Sequence, residues 1–297
     1  MDEGSRIEAA LDRALAHAEA PGAPPLLAEA LRHAVFPGGA RVRARLCLAV
    51  ARACGEPEPA AADAAAAAIE LMHCASLVHD DLPCFDDAET RRGKPSVHSE
   101  YGEPLAVLAG DALIVLAFET LAREAGRDGQ MLGRLVTILG RATGMPGGIC
   151  AGQAWESEAH IDLSAYQRAK TGALFVAACA AGATAAGRPA ARWTPLGDRL
   201  GEAYQVADDL RDAIGDAAAL GKPVGQDETH ERPNAVGALG LKGAKARLDK
   251  LVTAAVDCIP QCPGRPLLEA LVRSEAKRLV PPKLAAQLEG SLAGEAG

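Results

Sequence analysis

The sequence predicts an all-α fold, and three observations carry that prediction. Hydrophobic residues make up 49 % of the chain and aromatics only 3 %, with alanine abundant. That balance favours helix over sheet. Apolar segments are punctuated by proline and glycine in the way helix ends are. No stretch alternates apolar with polar residues as a half-buried strand does.

The elements follow from that punctuation. Helices are expected at 5–19 and 24–35, parted by Pro21, Gly22 and Pro24, and at 41–54, after Gly38-Gly39. The helix at 59–81 opens at Pro59 and must finish near Asp81, because Pro83 disfavours helix at the residue before it. Further helices are expected at 104–124, 128–143, 147–157, 163–186, 193–217, 241–258, 265–279 and 283–291. Non-helical connections fall at 83–103 and 218–235, each holding several Pro and Gly. Loops this long inside a compact domain are usually functional. With no linker or repeat, the whole chain, 1–297, reads as one domain: a helical bundle around a central cavity.

Charge narrows the function. Lys+Arg number 31 against Asp+Glu 39, a net −8, with no basic run. A nucleic-acid partner is not expected, since phosphate backbones are held mainly by Lys and Arg. The Cys residues (47, 54, 74, 84, 150, 179, 258 and 262) sit mostly in apolar helical stretches without zinc-site spacing, and are expected to be reduced buried thiols. The acidic N-terminus lacks an apolar signal segment, and the uncharged run Thr171–Gly187 falls short of a membrane span. A cytoplasmic protein without a membrane span is expected.

Two acidic clusters carry the chemistry. The first is His79-Asp80-Asp81-Leu82-Pro83-Cys84-Phe85-Asp86-Asp87, at the end of an apolar helix and followed by Arg91, Arg92 and Gly93. A helix C-terminus is partially negative, so carboxylates there need a cation. The second is Asp208-Asp209-Leu210-Arg211-Asp212, in which Asp208, Asp212 and Asp216 recur every four residues on one helix face. Paired hard oxygen ligands suit Mg²⁺ shared with substrate phosphates. The arginines offer planar forks for phosphate oxygens. Together they read as a site for a diphosphate and its metal ions.

These residues resemble the two aspartate-rich motifs of the trans-polyprenyl diphosphate synthases. His79 through Gly93 is similar to the first motif, in its DDxxxxD form, and Tyr204 through Asp212 to the second. Gly38 through Arg43 resembles GGKRLR, Gly152-Gln153 the GQ element and Lys170-Thr171-Gly172 the KTG element. Gly221-Lys222 with Gly225 and Asp227 resembles the GKxxGxD loop. The resemblance spans about residues 35–235. Its wording is most similar to geranylgeranyl diphosphate synthases of bacterial carotenoid pathways.

The resemblance implies roles. Asp80, Asp81 and Asp86 would hold two Mg²⁺ ions and Asp208 a third, with Asp209 and Asp212 completing the second cluster. Arg91, Lys170, Thr171, Gln205, Lys222 and Arg232 would serve the allylic diphosphate. Arg43, His73 and Arg92 would hold isopentenyl diphosphate. The reaction would be head-to-tail condensation, and the assembly a homodimer. Three departures stand out: the family's Lys is Ala40 here, the Pro after the second Arg is Ala44, and Arg232 stands where a later Lys is usual. Weaker isopentenyl diphosphate binding is expected, and Arg45 points elsewhere on its helix.

Product length follows from helix geometry. Ser76 and Ala75 lie about 6–7.5 Å below Asp80 along the helix. Family members that stop at C15 commonly place an aromatic ring at that depth. Both residues are small here, and Met72 and Leu71 one turn deeper are candidate floor residues, so a C20 product is expected. Alternatives are a farnesyl (C15) synthase and a non-catalytic regulatory subunit, the latter opposed by two intact clusters. The His79-Asp80 pair resembles HD-type phosphohydrolases, but no second histidine cluster exists to complete such a site. A terpene cyclase would need more aromatics.

Overall fold

The computed structural model describes residues 2–36, 39–214 and 234–279. Those residues form a helical bundle. Helices α1 (Glu3–Ala18), α2 (Pro25–Val35), α3 (Val42–Ala53) and α4 (Pro59–Asp80) come first. A two-stranded hairpin follows, β1 (Thr90–Arg91) with β2 (Lys94–Pro95), then α5 (Val97–Tyr101), α6 (Glu103–Glu124) and α7 (Gly129–Thr143). Next come α8 (Ile149–Ala154), α9 (Leu163–Gln167), α10 (Ala173–Ala185), α11 (Thr194–Ile214), α12 (Ala235–Asp257) and α13 (Arg265–Leu279).

The ends have local causes. Pro25 and Pro59 stand in the first turns of α2 and α4, where a missing N–H costs nothing. The side chains of Asp2, Asp128 and Asn234 accept backbone N–H groups and so start α1, α7 and α12. Residues Ala61 through Met72 of α4 are buried except Asp63, and α4 packs along α6, α3 and α10. This alanine-rich spine runs through the main apolar core, while a smaller core joins α11 to α12.

The structure revises several sequence expectations. The connection 83–103 contains the hairpin and α5. The strands are two residues each, too short to register as alternation. The helix expected over 163–186 is split by a π-helical turn, Arg168–Gly172. The 147–157 segment ends in a 3₁₀ turn, Trp155–Ser157. Helix α12 starts at Ala235, not 241, because Asn234 caps it early, and Gly240 then breaks its regularity with φ 68°. Cys84 and Cys150 are exposed, while Cys47, Cys54, Cys74 and Cys179 are buried. Helices α4 and α6 are long and apolar enough to cross a membrane by length and composition, but most of α4 is packed inside the protein. The loop at 218–233 and the helix expected at 283–291 lie outside the described residues.

Close backbone approach sets the α3–α10 contact. A Cβ at Gly182 would stand 2.2 Å from the Cys47 carbonyl oxygen. Alanine inside a helix normally gains about 1 kcal/mol over glycine. Here the clash reverses the sign. Gly182→Ala is expected to destabilise the protein by about 1–3 kcal/mol, read as a lower urea midpoint with unchanged slope.

Candidate active site

The first cluster is built by the C-terminus of α4 and the loop after it. That loop folds back and satisfies the helix's last carbonyls: Asp86 N–H donates to Asp80 O at 2.9 Å and Ala88 N–H to Asp81 O at 3.1 Å. The fold-back brings the Asp86 carboxylate close enough to Asp80 to act on its charge. Burial pushes the Asp80 carboxyl up to about 6; Lys170 and Arg91 oppose that rise, and Asp86 and Glu156 add to it.

Asp81 has a different partner. It is 3 % exposed, and Arg91 Nε donates to its Oδ1 at 2.9 Å. Arg91 Nη2 also bonds Asp81. Burial raises the Asp81 carboxyl, and Arg91 opposes that. The hairpin explains how Arg91 arrives. Arg92 and Gly93 form its two-residue turn with φ of 54° and 77°, the all-positive geometry of a type I′ turn. Glycine takes that conformation without strain, so the sequence Arg-Arg-Gly ends one strand on Arg91 and sets Arg92 at the tip. There the Arg92 guanidinium lies over Gly39, where a Cβ would stand 2.7 Å from its Cζ.

The tip completes a cationic pocket with α3 and α4. Arg43 Nη1 donates to His73 Nε2 at 3.4 Å. Burial, then Arg43, Arg92, Arg91 and Arg41, hold the His73 imidazole well below its usual range, so it is neutral and accepts. The Arg43 guanidinium stacks over Phe175 at 4.7 Å and Tyr204 at 5.5 Å. Its Nε is buried without a hydrogen-bond partner. A buried donor left over beside a second arginine fits an anionic ligand.

Lys170 and Thr171 sit on the π turn, a distortion that recurs at functional sites. Gly152 of α8 lets that turn approach, since a Cβ there would meet Lys170 N at 2.3 Å. Lys170 Nζ donates to Glu156 at 2.5 Å, and Tyr166 and Gln153 bind the same carboxylate at 2.7 and 3.0 Å. Thr171 donates to Gln205 Oε1 at 2.9 Å, and Gln205 donates to Asp209 at 3.0 Å. Asp209 is 3 % exposed and also accepts from Ala235 N at 2.7 Å, so it ties α11 to the start of α12. Asp208 is more exposed and pairs with Arg211 at 2.7 Å. Arg211 stacks on Tyr204 at 5.4 Å. Asp212, one turn beyond Asp208, is half-buried.

In each cluster one aspartate is fully buried in framework bonds, Asp81 to Arg91 and Asp209 to Gln205 and Ala235, whereas Asp80, Asp86 and Asp208 are only half-buried. Ser76 is half-buried, whereas Ala75 and Met72 are packed at 1 % and 0 % exposure. Lys222 and Arg232 lie outside the described residues. Sequence reasoning missed four positions. Glu156 gathers Lys170, and Phe175 and Tyr204 shelve Arg43. Arg41, buried at φ 48°, bonds Glu8, Glu70 and the Val35 carbonyl and so fixes the turn into α3. A signal existed only for Tyr204 and Arg41, which fall within quoted motifs.

The donor set fits Mg²⁺. Among the described residues no three metal-ligating side chains are gathered at one point. Yet the adjacent Asp80 and Asp86 carboxylates supply hard oxygens in a buried setting that favours a divalent cation. The sign of the pH effect follows. The folded protein keeps the Asp80 proton up to about pH 6, whereas the unfolded chain releases it near 3.8. Stability from this group is complete below that lower value and is lost as pH climbs to about 6. Metal binding requires the ionised form. Mg²⁺ is therefore expected to raise Tm more at pH 7 than at pH 5. Equal shifts at both would remove Asp80 from the metal site.

Comparison with known proteins shows the family. Residues 24–261 match the polyprenyl synthetase family. The chain is 60 % identical over 283 residues to a geranylgeranyl diphosphate synthase of Cereibacter sphaeroides, covering 95 % of this chain and 98 % of that one. It is 53 % identical over 280 residues to a geranylgeranyl diphosphate synthase of Rhodobacter capsulatus, covering 94 % and 97 %. Among solved structures it resembles the geranyltransferase of Helicobacter pylori complexed with magnesium and isoprenyl diphosphate. There the TM-score is 0.77 at 28 % identity, covering 92 % of this chain and 97 % of that one.

Proposed function

The chain belongs to the polyprenyl synthetase family, and from that premise we propose that it condenses isopentenyl diphosphate with allylic diphosphates, head to tail, to give geranylgeranyl diphosphate. The observation that carries the reading is a carboxylate cluster attended by cations, with a second group of cations gathered around His73. Lys170 and Arg91 stand on the side of Asp80 and Asp86. Arg43, His73 and Arg92 form the other pocket.

The chemistry follows from that division. Lys170, Arg91 and Thr171 bind the allylic diphosphate, which requires Lys170 to turn from Glu156 and Arg91 to share its fork with Asp81. Asp80, Asp86 and Asp208 would hold Mg²⁺, up to three ions, which when bound would supply positive charge for the departing diphosphate. The C1–O bond breaks with both electrons going to oxygen, leaving an allylic cation. Arg43 and Arg92 hold isopentenyl diphosphate so that C4 of its double bond attacks the allylic C1; the cation this leaves at C3 of the isopentenyl unit is quenched as a proton on C2 of that unit passes to the departed diphosphate. The neutral His73 keeps Arg43 aimed without bringing a further charge into the pocket. Apolar walls of alanine and leucine give the cation nothing to react with.

Ala40 tunes this pocket. The family Lys at this position would add a cation, and Arg45 does not replace it, since it is bound to Glu275 at 3.2 Å. Ala40→Lys is expected to lower the KM for isopentenyl diphosphate about tenfold, one charge-assisted hydrogen bond's worth, with kcat little changed.

Product length is tested at Ser76. Being half-buried, it has room for a ring, whereas Phe at the packed Ala75 would strain the core by about 1–3 kcal/mol. Given Mg²⁺, isopentenyl diphosphate and C5 to C15 allylic diphosphates, the protein is expected to release a C20 product, and Ser76→Phe a C15 product. C15 from the unaltered protein would leave the mechanism standing and move the floor. No condensation at all would favour a regulatory subunit.

Helix α6 leaves Val107, Leu108 and Val115 exposed on one stripe. A second copy of the chain meeting this stripe across a two-fold axis would cover it, and we read the protein as a homodimer. We place it in the cytoplasm, supplying a C20 diphosphate to carotenoid assembly, on the resemblance of its motif wording.

A further inference from the structure

His79 precedes the metal-binding carboxylates, and neither the reaction nor the substrate pockets use it. Its imidazole occupies a notch in α6 opposite Gly110. A Cβ at Gly110 would stand 2.0 Å from His79 Nε2, 2.4 Å from Cδ2 and 2.6 Å from Cε1. All three ring atoms lie where any other residue would put its side chain. Nε2 also lies 3.3 Å from the Val107 carbonyl oxygen and 3.8 Å from Asp111 Oδ1. A carbonyl only accepts, so Nε2 carries the hydrogen and donates it.

This arrangement is unfavourable for α6 taken alone. Glycine inside a helix is a poor helix former, and Gly110 lies mid-helix in α6. Its gain is the notch. Two features make the notch matter for the site. His79 lies in the last turn of α4, and Asp80 is the last residue of that helix. Beyond it the chain turns back so that Asp86 N–H reaches Asp80 O. The spacing of the Asp80 and Asp86 carboxylates therefore depends on how firmly this final turn is held. Arg91 holds it from one side through Asp81. His79 holds it from the other, against α6.

We propose that His79 is a positioning residue: seated in the Gly110 notch and bonded to the Val107 carbonyl, it locks the final turn of α4 so that Asp80 and Asp86 can share a divalent cation. This rests on the reading of those carboxylates as the metal site. It predicts a metal-binding defect from substitutions that touch neither metal nor substrate. Partners one layer behind metal ligands typically change affinity about 10–100-fold when lost.

The test is Mg²⁺-dependent thermal stabilisation, measured without substrate, alongside steady-state kinetics. Gly110→Ala is expected to raise the Mg²⁺ concentration for half-maximal stabilisation at least about tenfold. Its KM for isopentenyl diphosphate should stay within about twofold, because the Arg43–His73–Arg92 pocket is not contacted. His79→Ala should show the same defect, and His79→Gln, whose amide can reach the Val107 carbonyl, should recover most of it. The double variant G110A/H79A should be no worse than H79A alone, since both act through one contact. Melting without Mg²⁺ separates variants that fail to fold, and H79Q keeps the test open if G110A is one of them. A normal Mg²⁺ response in H79A, or additive losses in the double variant, would overturn the proposal. An unaltered protein that neither responds to Mg²⁺ nor makes product would instead overturn the reading of the site itself.

Discussion

The buried ion pair between Asp81 and Arg91 is the contact on which the site's geometry depends. A carboxylate at a helix C-terminus faces a partial negative charge, and a buried one loses hydration as well. Arg91 resolves both at once with a forked, charge-assisted bond. Such pairs add little net stability, but losing one partner strands the other at a cost of about 3–5 kcal/mol. The pair acts mainly by fixing position. Holding Arg91 fixes the hairpin, the hairpin's turn sets Arg92 over Gly39, and Arg92 closes the pocket around His73 and Arg43.

The same economy explains why ligand-seeking groups are paired with one another. Lys170 rests on Glu156, Arg91 on Asp81, and Asp208 on Arg211. Each charge is thereby paired and does not stand desolvated and alone. Preorganisation of this kind is what charge stabilisation in a leaving-group reaction requires.

Packing serves the same end. Alanines along α4 and α10 let helices approach closely, so a chain poor in aromatics still buries a continuous core. Two of the few aromatic rings are placed at the site. Phe175 and Tyr204 form the shelf for Arg43, and Tyr204 lies between Arg43 and Arg211. The second acidic cluster and the Arg43 pocket are thereby joined through one ring.

Much of this was legible in the sequence. Helix positions followed from proline, glycine and alanine, because these act on the backbone within a turn of where they stand. The end of α4 at Pro83 followed from one steric clash. A site for a diphosphate and its metal ions followed from the residue types of the two acidic clusters, and the reaction class from the resemblance those clusters carry. Other features depended on contacts between distant segments. The π turn at Lys170 arises where α8 presses on it through Gly152. The division of roles between Asp80 and Asp81, and between Asp208 and Asp209, is invisible in a run of identical aspartates. It was decided by which carboxylate met Arg91 or the first amide of α12. Local rules determine which elements form and which chemistry is at hand; tertiary packing alone decides which neighbour each charge faces, because burial and Coulomb energy depend on distance through space and not along the chain.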